Sequence, residues 1–241
     1  MHGLAGSARE WDRSAELLRP DHQVFALDQR GHGESERCPS DLSRGAFTAD
    51  GAEAIRRIGA GTDHGGGAVN GAITAMLTAA KHPELVSSLV MIEGAPVGPE
   101  VFDPDPDAAH AIREWLASWP VPFADERAAR RFFARKGFDP DARTAGLEER
   151  SDGLWPRWKL EPMVACVADL AARNYWTEWQ SVRCPVLIVM GENGMFPPSV
   201  GEDMLTRLAT ASLVMIADAR HDVHLDAAGA WVAALARPES N

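Results

Sequence analysis

The sequence predicts an α/β protein, a mostly parallel sheet flanked by helices and interrupted by a helical insert. Three observations predict it. Four apolar runs, QVFALD (23–28), LVMIE (89–93), PVLIVM (185–190) and SLVMI (212–216), are continuous rather than alternating, as strands covered on both faces are. Amphipathic segments at helical spacing lie around them, over 11–18, 48–58, 72–81, 201–208 and 227–236, and strands alternating with helices argue for a doubly wound sheet. The stretch 96–183 breaks the alternation: it is helix-rich, has no strand-like run and holds six of the eight tryptophans.

Taken in order, 23–28 ends in Asp28 and meets Gly31 and Gly33, the punctuation of a buried strand entering a loop. Residues 1–95 and 184–241 are expected to form the core, and 96–183 a cap inserted in it. In the cap, Trp155, Trp158 and Trp176 stand with Trp179, Phe132, Phe133 and Met163. Two readings are open: an apolar substrate pocket at the seam, or simply the cap's own core.

Composition narrows the partners. With 241 residues and 45% apolar content, there is room for one core, or one core with a lid. A net charge of -11 repels nucleic acid and anionic membrane, so the expected partner is a small, neutral or weakly polar molecule; oligomeric state is not encoded legibly. Cys38, Cys166 and Cys184 are odd in number and far apart, which suggests neither disulfides nor a metal site, and no cofactor is expected. No apolar run reaches the ~20 residues of a membrane span and the first residues lack a signal-peptide layout, so a cytoplasmic location is expected.

Several motifs then fall in one order: His2-Gly3 with Trp11 beyond it, Asp28-Gln29-Arg30-Gly31-His32-Gly33-Glu34-Ser35, Lys81-His82-Pro83-Glu84, Glu93, Gly191-Glu192-Asn193 and Arg220-His221-Asp222. Together they resemble the α/β-hydrolase superfamily, in the branch of esterases, epoxide hydrolases and haloalkane dehalogenases, over nearly the whole chain. The resemblance implies an α/β-hydrolase fold with an inserted helical cap. It also implies a nucleophile on a sharp strand-to-helix turn, a histidine as base and a carboxylate orienting it.

His221 matches the family histidine. The orienting acid is Glu93, as in dehalogenase-like members, or Glu192 in the later loop, where the usual Asp position reads Gly194. His2-Gly3 implies that the amide of Leu4 is one oxyanion donor, and the residue after the nucleophile, Asn70, supplies the second. Gly67-Ala68-Val69-Asn70-Gly71 stands where the family carries Gly-x-Ser-x-Gly, which puts Val69 in the nucleophile slot. Counting back from His82-Pro83 and forward from Gly59 gives the same register. Its strand, Asp63-His64-Gly65-Gly66-Gly67, is poor by propensity. Alternatively Gly61-Thr62-Asp63-His64-Gly65-Gly66 resembles the Gly-x-Asp-x-Gly-Gly elbow of epoxide hydrolases and dehalogenases, with Asp63 attacking, but this needs six extra residues and leaves no strand before the turn.

In this family a central strand runs into the His-Gly pair, which here follows Met1, so the N-terminal strands are expected to be truncated. Three accounts stay open: a start further upstream, a sheet closed around the gap, or a decayed relative. The function expected is hydrolysis of a small, partly apolar ester, lactone or epoxide through a His–acid pair, with Asp63 or an activated water attacking. The alternatives are a non-hydrolytic His-dependent enzyme on the same fold, and a catalytically degenerate pseudoenzyme or small-ligand-binding protein.

Overall fold

The computed structural model describes residues 1–59, 63–68, 70–98 and 108–235, with 63–68 and 70 described by their backbone alone. After a short 3-10 turn at Ala8–Trp11 come α1 (Asp12–Leu18), α2 (Arg44–Ile58), β1 (Asp63–Ala68), α3 (Asn70–Lys81) and β2 (Val86–Ile92). An insert follows, with α4 (Ala108–Ala117), α5 (Glu126–Arg135), α6 (Pro140–Ala145), β3 (Leu147–Arg150), β4 (Gly153–Pro156), α7 (Leu160–Ala171) and α8 (Trp176–Ser181). The core resumes with β5 (Val186–Asn193), α9 (Pro198–Arg207), β6 (Ala211–Arg220), α10 (Val223–Asp226) and α11 (Ala228–Leu235). No helix among the described residues is long and apolar enough to cross a membrane.

The described strands β1, β2, β5 and β6 form one parallel sheet in the order β1-β2-β5-β6. Because side chains alternate across a strand, β2 sends Leu89 and Met91 to one face and Val90 and Ile92 to the other. The first pair joins Met76, Ile188, Met190, Met204 and Trp179 in the larger core cluster. The second joins Trp11, Val189, Ile216 and Trp231 beneath α1 and α11. Burial on both faces is why β2 and β5 read as unbroken apolar runs, whereas β6, last in the order, leaves Met215 41% exposed.

The glycine-rich stretch is a strand despite its propensity. Its backbone pairs with β2 from Asp63↔Val86 to Ala68↔Ile92, with one register shift after Asp63, and this ladder outweighs what three glycines fail to bury. Residues 23–28 correct the expectation in the other direction. They belong to no strand of the sheet, and Phe25 is 54% exposed. An apolar run becomes a strand only beside a hydrogen-bonding neighbour, and no described strand pairs with this one.

The insert also departs from the all-helical expectation, since β3 and β4 form an antiparallel hairpin joined by Ser151 and Asp152. Glu148 and Trp155 face each other across it. Leu116, Trp119, Phe123, Phe132, Phe133, Leu147, Trp158 and Met163 make a separate apolar cluster that closes on Ala5 of the core. Trp119 meets Phe133 and Trp158 edge-on, at centroid distances of 5.1 Å and 5.3 Å. Entry and exit of the insert are pinned together where Tyr175 N–H donates to Pro96 O at 2.8 Å. Beyond that point Tyr175 and Trp179 pack into the main core.

Ion pairs hold the insert down. Arg37 donates both Nη atoms to Glu148, at 2.7 Å and 2.6 Å, and Arg150 also binds this carboxylate. Arg157 pairs with Glu34, and Arg44 N–H donates to Asp169 at 2.7 Å. The Arg37 fork, reinforced by Arg150, holds the Glu148 carboxyl down at about 2. A carboxylate with a depressed folded pKa stabilises above its unfolded value and loses that contribution as pH falls through the folded one. Arg37→Met is therefore expected to cost about 1–2 kcal/mol at pH 7 and much less near pH 2. Urea unfolding at the two pH values checks this; equal costs would contradict it.

Candidate active site

Parallel strands bring their carboxyl ends to one edge, and in such sheets ligands bind there. At that edge β1 leads to Asn70, β2 to Glu93, β5 to Gly191 and its loop, and β6 to His221.

Glu93 follows β2 directly, is fully buried and has a left-handed backbone (φ 47°). Its Oε1 accepts from Gly191 N at 2.7 Å and its Oε2 from Met195 N at 2.8 Å. His221 Nδ1 lies 3.2 Å from Oε2, on a side chain 31% exposed. A carboxylate only accepts, so in this pair Nδ1 carries the hydrogen and Nε2 keeps its lone pair. The pair is an imidazole held in one tautomer by a buried carboxylate.

Gly194 makes room for it. A Cβ at that position would lie 2.2 Å from Glu93 Oε1, so any side chain there displaces the carboxylate. The glycine in the later loop and the acid after the earlier strand thus share one space. Glu192, the other candidate, is exposed and accepts instead from Asp218 N at 3.0 Å.

The loop expected to supply an oxyanion donor is a turn closed by Gly6 N–H to Gly3 O at 3.3 Å, with Leu4 and Ala5 at its centre. Ala5 has φ 55°, where glycine is the usual residue. Two buried imidazoles hold this conformation. His32 Nε2 accepts from Ala5 N at 3.2 Å while its Nδ1 donates to Arg30 O at 3.0 Å. His2 Nε2 accepts from Gln29 N at 3.0 Å while its Nδ1 donates to Gly3 O at 2.7 Å. Both rings are neutral donors and acceptors, since burial pushes His2 down to about 3 and His32 to about 4. Gln29 donates to His2 O at 2.7 Å and accepts from Thr74 of α3 at 3.1 Å. Asp28 accepts from Ala8 N at 2.6 Å and from Glu34 N at 3.0 Å. The Asp28-to-Ser35 motif is therefore a clamp on the loop, a job its residue types did not reveal.

The start of α3 lies against the same loop. A Cβ on Gly71 would come within 2.6 Å of His2 O, so glycine is required for this approach. Asn70 opens α3, where backbone N–H groups have no partner inside the helix.

Other expected site residues lie elsewhere. Asp63 opens β1 at its amino end, roughly 16 Å of extended strand from the carboxyl edge, so the structure does not bring it to His221. Val69 lies outside the described residues, between the end of β1 and the start of α3. Trp158 is buried in the insert's own cluster, Trp155 lies on the hairpin and donates to Asp152 at 2.8 Å, and Trp176 packs against the main core beneath Arg207. Among the described residues the three tryptophans thus pack in different places, Trp158 in the insert's cluster, Trp155 on its hairpin and Trp176 on the main core.

Residues 1–235 match the profile described as "Alpha/beta hydrolase family". The chain belongs to this family. Among its relatives, abhydrolase domain-containing protein C22H12.03 of Schizosaccharomyces pombe is 36% identical over 98 residues, 40% of this chain and 36% of that protein. The alignment thus spans about a third of that relative. Serine hydrolase BPHL of Homo sapiens is 29% identical over 238 residues, covering 93% of this chain and 72% of that protein. The crystal structure of E-2-(acetamidomethylene)succinate hydrolase superposes with a TM-score of 0.86 at 23% identity, covering 97% of this chain and 87% of that one. The fold is therefore the alpha/beta hydrolase fold, a parallel sheet flanked by helices.

Two tests follow for this family member. Gly194→Ala is expected to expel Glu93 from its seat and to cost about 1–3 kcal/mol; thermal unfolding and a crystal structure of the variant check it, and an unmoved Glu93 would contradict it. Depressed folded values at His2 and His32 mean that stability is full above their unfolded value near 6.5 and is lost as pH falls toward 3. Each contributes a slope of about 1.4 kcal/mol per pH unit at its steepest. His32→Asn should flatten the pH dependence of unfolding between 6 and 4, and an unchanged slope would contradict neutral burial.

Proposed function

We propose that the protein is a hydrolase of small, partly apolar esters or lactones in which His221, oriented by Glu93, activates a water for direct attack. The observation that carries this reading is the 3.2 Å contact between His221 Nδ1 and the fully buried Glu93 carboxylate. It leaves Nε2 as the basic atom of a ring in one orientation.

In the proposed reaction, Nε2 takes a proton from water as the oxygen attacks the acyl carbon. The oxyanion that forms accepts from the backbone N–H groups of Leu4 and Asn70, which sit on adjoining segments. Collapse breaks the bond to the alcohol oxygen, and the imidazolium returns its proton to that oxygen, releasing acid and alcohol. No side-chain nucleophile enters. Valine at position 69 has nothing to attack with, and Asp63 is at the far end of β1. Epoxide opening by the same water is a second activity of the proposed base. The insert's apolar cluster closes over Leu4 and Ala5, which suits an apolar acyl group. Relatives named as hydrolases, including BPHL and the 2-(acetamidomethylene)succinate hydrolase of Mesorhizobium japonicum, support the reaction class.

The test is a panel of small esters, lactones and epoxides with the full chain. His221→Ala and Glu93→Gln are each expected to lower kcat/KM by about 10²–10⁴, and Asp63→Ala to leave it unchanged. In a single turnover in 18O-water the label should enter the product acid, with no covalent adduct by mass spectrometry. Turnover indifferent to His221 would remove this reading. Ligand binding without turnover would favour a small-molecule-binding protein on the same scaffold.

A further inference from the structure

We propose that Arg143 is a positioning residue, a two-armed latch through which the insert sets the geometry of both the oxyanion loop and the histidine loop. The proposal rests on reading His221 as the base, and its test separates the two.

Arg143 lies on α6, whose start is capped by Asp139 accepting from Asp141 N and Ala142 N at 2.9 Å and 2.8 Å. Its side chain is 9% exposed and its guanidinium passes over the Phe138 ring at 5.1 Å. Nη1 lies 2.7 Å from Glu10 Oε1, and Nη2 donates to Asp222 Oδ2 at 3.2 Å. Glu10 is 2% exposed and sits in the 3-10 turn that follows Leu4 and Ala5. Asp222 is the residue after His221. Other ionisable groups around the cluster are His224, whose Nε2 lies 3.4 Å from Glu10 Oε2, His2 and the Met1 amino group on the Glu10 side, His221 and Arg220 on the Asp222 side, and Asp139, which caps the arginine's own helix. Two acids on one buried guanidinium leave it no free charge for a bound anion, so the cluster is a strut rather than a ligand site.

The elements it joins make it more than glue. The straps Arg37–Glu148 and Arg44–Asp169 tie the insert to segments that carry none of the proposed catalytic atoms. Arg143 alone among these straps grips, from the insert, the segment behind the Leu4 amide and the residue beside the base. A planar fork can hold two carboxylates at a fixed separation, which a single ammonium cannot.

The experiment compares Arg143→Lys, Arg143→Met and the double variant Arg143→Met/Glu10→Gln, which removes a stranded acid if the single variant fails to fold. Three quantities are measured: the NMR titration of the His221 ring, kcat and KM on the best substrate, and the melting temperature. The latch predicts that both methionine variants move the His221 midpoint by about half a pH unit or more. It also predicts a kcat lower by at least about tenfold with KM changed less. Arg143→Lys should recover melting temperature but not the His221 midpoint. A His221 titration identical to wild type in all three variants, with only the melting temperature lowered, would overturn the proposal. If His221→Ala leaves turnover intact while the methionine variants still move the titration, the coupling stands and the assignment of the base falls.

Discussion

A buried carboxylate without partners would be among the most costly groups a small core can hold, and Glu93 is such a carboxylate with its partners supplied. Three donors converge on it from two other strands: Gly191 N, Met195 N and His221 Nδ1. The need to satisfy this one group fixes how the loops after β5 and β6 are drawn over the end of β2. It also fixes the tautomer of the histidine. Fold and the proposed chemistry meet here, since the bonds that make the burial tolerable are the ones that leave the lone pair on Nε2 for the proposed reaction.

The other half of the site follows a parallel logic with neutral groups. The Leu4–Ala5 turn is strained at Ala5, and strain of this kind persists only where surroundings over-determine the backbone. Here the surroundings are two imidazoles kept neutral by burial, plus Gln29 bridging to Thr74. Aligning Leu4 with the start of α3 needs Gly71, just as seating Glu93 needs Gly194. Two glycines, neither at a left-handed position, thus hold open the space in which the two halves of the site assemble.

Much of this was legible in the sequence. The runs at 89–93 and 185–190 are core strands, because burial on both faces leaves a continuous apolar signature, while the run at 212–216 is a strand at the end of the described sheet order with only Ile216 buried. Glu93 and His221 are implied by the family resemblance, and the topology brings them together at the ends of their strands. The run 23–28 misled because apolarity reports burial potential, and whether a ladder partner exists is a non-local fact. Residues 63–68 form the strand that the spacing of the Val69 register requires, although a strand built on backbone pairing carries no side-chain signal. The roles of Gln29, Glu10 and Arg143 were illegible, as each acts across more than 25 residues of sequence through a contact that spacing cannot reveal. Gly194 was the exception, a visible gap in the family pattern whose meaning appears only once Glu93 is seen filling it.

The most direct test of the central claim is the 15N spectrum of the His221 imidazole above its titration, in the wild type and in Glu93→Gln. The expected result is a single tautomer in the wild type, protonated at Nδ1 and bare at Nε2, that collapses into a mixture when the carboxylate becomes an amide. A wild-type ring protonated at Nε2, or one whose tautomers ignore the change at Glu93, would contradict the account.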